Sequence, residues 1–537
     1  MPKKTPTPDQ QTATPSHPPV ALWLMPLGGA ALSLAFPNEL LPGALGDRPS
    51  FLVAWVALAP LLWAIQALPR ARYKAALLYG AGFALSTVSW VRLFGYIPWF
   101  LLALAYIAIF YPLALYLADR LVPSRLLPLG FALAFTGLEW ARGQGMFGFP
   151  WAELGSSQVE GVTARIAAVG GIPLITFLLL WVVGAAVQVV RERDAAPRWQ
   201  LPASAAALTV CLLAGYWQSS AAFVRWERQS AGVHAAVVQP DLPHNLKPSI
   251  LKPPSSREEG LQREEEYQRR IQKLIELSER GMADPRPLPS GYRRLLIWPE
   301  SALWDPPPPY LSRISEQIRG VCGTTGSYLL VGAPAFPRDY RVHGQFNTAY
   351  LLNPLGIPVE RYEKIHLVPF GEFVPMRGLV TRYYTVRPDD ILRGKARATL
   401  REVGVPLGVA ICFETTFPAI SRQYARLGAG MLVFITNDAW FKRTSAVRQH
   451  FNHARFRALE TGLPVARTAS TGISGFIAPD GRILGEIPTY REGVLTRDLR
   501  AGVPGTLDTA GGWLFGPACF LLALALTAAG IIRARRR

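Results

Sequence analysis

The 537-residue sequence predicts a multi-span α-helical membrane domain joined to an extracytoplasmic α/β domain, whose two sheets lie inside flanking helices. Three observations predict this class. Half of the residues are hydrophobic and only 17% are charged, values suited to membrane-embedded segments rather than to a soluble enzyme. Eight apolar runs reach or approach the ~20 helical residues that a hydrocarbon core demands. Between about 225 and 505 the pattern changes to short strand-like runs alternating with helical ones.

The apolar runs lie near 20–37, 51–68, 75–94, 99–118, 126–143, 172–190, 202–219 and 513–532. A Pro/Thr/Gln-rich tail, residues 1–19, precedes the first and carries Lys3 and Lys4. No small-residue cleavage site follows that run and further spans do, so it reads as a retained helix, not a signal peptide. Basic residues in the short loops set the orientation. A cytoplasmic N-terminus places Lys3 and Lys4, Arg70, Arg72 and Lys74, Arg120 and Arg125, Arg191, Arg193 and Arg198, and Arg533, Arg535, Arg536 and Arg537 inside. The opposite loops hold chiefly Arg48, Arg142 and Arg165. Seven spans within 20–222 thus carry the chain out, residues 225–505 lie outside, and an eighth span returns it to a basic cytoplasmic tail at 533–537. Much of the net charge of +19 sits in these clusters, and no nucleic-acid-reading motif is present, so nucleic acid is not an expected partner.

The loop 141–171, between the fifth and sixth runs, is rich in Gly and aromatics and poor in charge. It suits the membrane interface, with Trp140 and Trp151 at headgroup depth and Glu139 at the membrane edge just before it. A carboxylate there faces water as readily as it meets a substrate; Glu139 and Trp151 are the candidate substrate contacts.

In the outer segment, 231–240, 293–300, 327–334, 346–354, 404–412 and 428–437 read as strands, followed by PVARTAS and GFIAPDGRI with a turn at 480–481. Residues 257–281, 309–323 and 446–462 read as helices. The Pro-rich stretch 240–256 cannot pack as regular structure and is a candidate mobile arm near the membrane. The four cysteines, Cys211, Cys322, Cys412 and Cys519, are too few and too scattered for a disulfide framework, and no CxxC pair suggests zinc. His450 and His453, three apart on a helix, read as structural, and no metal or other cofactor is expected.

Three polar residues stand at strand ends or in adjoining loops: Glu300 ends LLIWPE, Lys364 sits in RYEKIHLVPFGEFVP, and Cys412 ends GVAIC. Singly, each has a plain reading as a solvated carboxylate, a surface lysine or a small core hydrophobe. Together they supply what acyl transfer through a covalent enzyme requires: a soft nucleophile, a base to deprotonate it, and positive charge for the developing oxyanion. The N–H of Phe413, just after the cysteine, is a second candidate donor.

LLIWPESAL, YEKIHLVPFGEFVP, GVAICFE and FITNDAWF, together with GFPWAELGSSQ in the membrane loop, resemble the motifs of the apolipoprotein N-acyltransferase family over nearly the whole chain. The resemblance implies a nitrilase-like αββα sandwich held by eight membrane helices, with Glu300 as general base, Lys364 as oxyanion-stabilising lysine and Cys412 as nucleophile. It implies supporting roles for Glu372, Phe413, Glu414 and Trp440. It also implies transfer of a fatty acyl chain from a membrane phospholipid, phosphatidylethanolamine above all, to the N-terminal amine of a diacylglyceryl-cysteine apolipoprotein. The setting would be the bacterial inner membrane, with the catalytic domain on the periplasmic side and both termini cytoplasmic. Lys442, Pro248 and Ser470 depart from the family pattern, though none touches the three catalytic positions. A membrane-anchored amidase or nitrilase-type hydrolase would use the same triad, with water completing the reaction.

Overall fold

In the computed structural model the described residues are 19–535, apart from 42–45, 193–196, 243–255, 284–285, 308–312, 338, 340, 342, 376 and 381–390. Lys3, Lys4, Arg193, Arg536, Arg537, Pro248 and most of the Pro-rich arm fall outside them.

Each apolar run carries a helix. In chain order these are α1 (Pro19–Ser33), α2 (Leu52–Ala67, interrupted at Leu58), α3 (Arg72–Thr87), α4 (Tyr96–Leu121), α5 (Leu127–Arg142), α6 (Ala167–Glu192), α7 (Gln200–Glu227) and, at the far end of the chain, Phe515–Arg535. Four helical segments, Tyr96–Leu121, Val162–Glu192, Gln200–Glu227 and Gly512–Ala529, are long and apolar enough to cross a membrane by length and composition; Leu22–Ser33 and Leu52–Ala67 are shorter apolar helices. The helices α3 and α5 have 16 residues each, which at ~1.5 Å per residue gives about 24 Å, less than a ~30 Å hydrocarbon core. Within α6 the chain breaks at Gly170–Gly171. Gly171 has φ +67°, and a Cβ there would lie 3.2 Å from the carboxylate of Asp508. Glycine therefore permits both the break and the close approach of the outer module.

The outer module is a two-sheet sandwich. Its strands are β1 (Gly232–Gln239), β2 (Tyr292–Ile297), β3 (Ser327–Ala335), β4 (Gln345–Leu352), β5 (Pro358–Glu363), β6 (Ile391–Leu392), β7 (Leu407–Ile411), β8 (Met431–Thr436), β9 (Val465–Ala469), β10 (Ser474–Ile477), β11 (Ile483–Ile487) and β12 (Gly493–Arg500). One seven-stranded sheet runs β12-β1-β2-β3-β4-β5, with β6 on β4; a five-stranded sheet runs β11-β10-β9-β8-β7. The two-residue period sorts side chains between layers. Val233, Ala235, Val237, Leu295, Ile297 and Leu330 face the second sheet. Their neighbours Ala236, Val238, Leu296, Leu329 and Val331 face helices α8 (Arg257–Met282) and α9 (Arg313–Thr325). Helices α10 (Pro418–Arg426) and α11 (Ala446–Thr461) cover the other sheet; the last helix, Phe515–Arg535, is α12. The expected sandwich is therefore present, with β5, β6, β11 and β12 beyond the strands expected. β5 was hidden because RYEK reads as loop, and β12 because GVLTRDLR is half exposed and charged.

Candidate active site

The three candidate groups leave the sandwich at strand ends. Glu300 follows β2, Lys364 is the first residue after β5, and Cys412 is the first after β7. Parallel pairing aligns the ends within each sheet: Ile297 stands opposite Leu330, and Ile411 opposite Ile435.

Glu300 turns inward because Gly332 on the neighbouring strand has no side chain; a Cβ there would meet the Glu300 Cα at 2.6 Å. Lys364 is buried, at 1% exposure. Its Nζ lies 3.0 Å from Glu372 Oε1 and 3.9 Å from Glu300 Oε1. The Asn347 amide donates to both carboxylates, at 2.7 Å to Glu300 and 3.1 Å to Glu372. The Val368 N–H donates to the other Glu372 oxygen at 2.9 Å. Burial alone would lower the ammonium pKa of Lys364, but Glu372 and then Glu300 outweigh it and hold the pKa well above the usual lysine range. The lysine is thus a fixed cation at neutral pH.

Cys412 begins a 3₁₀ turn, Cys412–Thr416, directly from the strand. Its φ is +53°, a left-handed conformation that costs a non-glycine residue roughly 1–2 kcal/mol. This is the geometry of a nucleophile elbow, which presents a side chain at the top of a sheet. The residue is half-buried. Burial, followed by the Glu300 charge, pushes the thiol pKa far up, and Lys364 pulls it partly back. At rest the sulfur is therefore protonated and needs a base in order to attack.

Glu414 holds the elbow to the lysine loop. It is fully buried. Its carboxylate accepts hydrogen bonds from the Ile411 N–H, the Ile365 and His366 N–H groups and the Tyr362 hydroxyl, all at 2.8–2.9 Å. Phe413 packs on Phe417, with centroids 5.1 Å apart, and lies 6.4 Å from Phe149 of the membrane loop. Trp440 sits in the 3₁₀ turn after β8 and is 45% exposed.

The structure thus brings Glu300, Lys364, Cys412, Glu372 and Glu414 into one connected site. Glu139 and Trp151 lie elsewhere, inside the protein. Glu139 accepts from the Leu154 N–H at 2.8 Å and the Thr176 hydroxyl at 2.7 Å, which ties down the membrane loop. Trp151 is 1% exposed and donates to Gln449 at 2.6 Å, so protein of the outer module covers it. The motif reading also passed over Asn347 and the Asp438–His450–Arg467 cluster. Asn347 lies in an ordinary-looking strand, and only the tertiary structure sets its amide between the Glu300 and Glu372 carboxylates. Ser470 is buried, and Lys442 follows the Trp440 turn with φ +50°.

Two family models match the two parts of the chain. The apolipoprotein N-acyltransferase N-terminal domain model matches residues 28–185, and the carbon-nitrogen hydrolase model matches residues 235–505. An apolipoprotein N-acyltransferase of Geobacter metallireducens is 32% identical over 511 residues, covering 92% of each chain. One from Rhodopseudomonas palustris is 34% identical over 444 residues, covering 79% of this chain and 77% of the relative. A crystal structure of Saccharomyces cerevisiae Nit3, a member of branch 10 of the nitrilase superfamily, aligns at TM-score 0.37 and 17% identity, over 53% of this chain and 94% of that one. The chain belongs to the apolipoprotein N-acyltransferase family.

Proposed function

We propose that this protein transfers a fatty acyl chain from a membrane phospholipid to the α-amine of a diacylglyceryl-cysteine apolipoprotein, through a thioester on Cys412. The observation that carries the proposal is the convergence of Glu300 and Lys364 on the elbow cysteine. In the first half-reaction Glu300 takes the thiol proton as sulfur attacks the ester carbonyl. The Lys364 ammonium, steadied by Glu372, and the Phe413 N–H stabilise the oxyanion; one such donor is typically worth ~3 kcal/mol. The ester C–O bond breaks and Glu300 returns the proton to the departing lysophospholipid oxygen. In the second half-reaction the amine attacks the thioester, Glu300 takes its proton, the C–S bond breaks and the thiolate regains that proton. Thioester aminolysis is downhill, so the cycle calls for neither ATP nor metal.

Phosphatidylethanolamine is the donor we assign, by family likeness. Both substrates are lipids, which accounts for a catalytic sandwich fused to apolar helices. The orientation assigned from loop charge places residues 225–505 on the periplasmic face of the inner membrane, between seven spans and an eighth, with both termini cytoplasmic. The test supplies phosphatidylethanolamine with and without a diacylglyceryl-cysteine peptide. The proposal expects acylated peptide with an equal amount of lysophospholipid when both are present, and at most one lysophospholipid per enzyme with phosphatidylethanolamine alone. Equal fatty-acid release in both arms with no acylated peptide makes the protein a hydrolase.

A further inference from the structure

We propose that His450 is a positioning residue for the nucleophile elbow, clamping the Cys412–Phe413 peptide so that thiol and oxyanion donor are aimed together. The inference rests on the acyl-transfer reading above. His450 Nε2 lies 3.1 Å from the Cys412 carbonyl oxygen. A carbonyl oxygen has no proton to give, so Nε2 carries one and donates. The other ring nitrogen, Nδ1, sits between Asp438 Oδ1 at 2.9 Å and Arg467 Nη2 at 3.1 Å. Arg467 also donates to Asp438 Oδ2 at 2.9 Å, and the Thr436 hydroxyl donates to Asp438 Oδ1 at 3.0 Å. His450, Asp438 and Arg467 are each no more than 1% exposed, so the ring is held from behind by a buried, charged frame.

The consequence follows from peptide geometry. The Cys412–Phe413 bond is trans, so its C=O and N–H point in opposite directions within one plane. Fixing the carbonyl on His450 directs the Phe413 N–H to the other side of the elbow. The same hydrogen bond steadies the left-handed Cys412 backbone, which would otherwise relax. The membrane module closes the arrangement from outside. Trp151 packs on the His450 ring with centroids 5.6 Å apart, and Phe441 meets it edge-on at 5.9 Å. The loop that looked like a lipid contact therefore backs the catalytic turn.

The test compares full-length His450→Phe, which keeps a packed ring but no donor, with His450→Gln, whose amide can still reach the carbonyl. Single-turnover formation of acyl-Cys412 is followed with phosphatidylethanolamine in micelles, alongside thermal unfolding. His450→Phe is expected to slow acylation about 100-fold, the scale of a lost oxyanion donor, with the half-saturating lipid concentration changed less than threefold. His450→Gln is expected to stay within tenfold of wild type. A His450→Phe rate within threefold of wild type, or a folded His450→Gln as slow as His450→Phe, overturns the inference. If His450→Phe fails to fold, His450→Gln decides alone, and a loss beyond tenfold overturns it. Wild-type enzyme that forms no acyl-Cys412 sinks the acyl-transfer reading instead. Iodoacetamide alkylation of Cys412 in the same variants then decides the positioning role: a rate lost in His450→Phe and kept in His450→Gln supports it, and equal rates overturn it.

Discussion

Two helices of the outer module carry many polar and charged residues and live in opposite surroundings. The helix α8 behaves as its sequence says. Ser256 caps it by accepting from the Glu259 N–H, acidic residues fill its first turn, and Arg280 sits in its last. Tyr267, Ile271, Leu274, Leu277 and Ser278 form a buried stripe on the large sheet, while the other face is solvated. The helix α11 has no such stripe. Arg448, Gln449, His450, Asn452, His453, Arg457 and Glu460 are all buried. It is enclosed by the small sheet, the Cys412 turn and the membrane helices; there Arg457 pairs with Glu460, while Arg448, Gln449 and His450 bond to Glu486, Trp151 and Asp438 of other elements. The same residue types are thus solvated decoration on one helix and internal frame on the other. Only the layer beyond α11, made by a part of the chain distant in sequence, decides between them.

The sharpest way to break this comparison is to orphan a charge on α11. Arg457 and Glu460 pair at 2.8 Å with no exposure, and Arg457 also donates to the Thr416 carbonyl. Arg457→Ala is expected to cost about 3–5 kcal/mol, because it strands a buried carboxylate; chemical unfolding of the detergent-solubilised protein measures it. The double variant Arg457→Met with Glu460→Leu should lose less than the single.

On α8 the comparable loss comes from an apolar residue. Leu274 is fully buried, and Leu274→Ala should cost about 2–5 kcal/mol in the same assay.

A smaller effect lies in the pH dependence. Burial, and then the neighbouring Glu460, raise the Asp508 carboxyl to about 7. The folded protein thus holds this proton more tightly than the unfolded chain, in which the pKa is about 3.9. The Asp508 contribution is whole below about pH 4 and lost as pH rises through about 7. Melting temperatures across that window should fall with pH more steeply in wild type than in Asp508→Asn. The smallest effect belongs to the Arg269–Glu265 pair on α8, whose partners are 68% and 66% exposed. Arg269→Ala should leave the unfolding transition nearly unchanged.

The same contrast explains what could be read from the sequence. The strand-end positions of Glu300 and Cys412 were legible because buried strands announce themselves as apolar runs, and a polar residue at the end of one is conspicuous. Lys364 was legible through its motif, although its strand, β5, was not. Glu414 was found as a neighbour of Cys412, but its four tethers belong to the tertiary structure. The burial of Trp151 against the outer module was not legible, because an aromatic in a Gly-rich membrane loop satisfies the interfacial pattern equally well whether lipid or protein covers it. His450 read as structural for a similar reason: nothing local distinguishes a histidine that fills space from one that holds a carbonyl.

The most direct test of the account is the intact mass of the full-length protein after incubation with phosphatidylethanolamine alone. The account predicts a mass increase of one fatty acyl group, mapped to Cys412, discharged by a diacylglyceryl-cysteine peptide and absent from Cys412→Ala. An acyl group carried on another residue, or peptide acylation that survives Cys412→Ala, would contradict it.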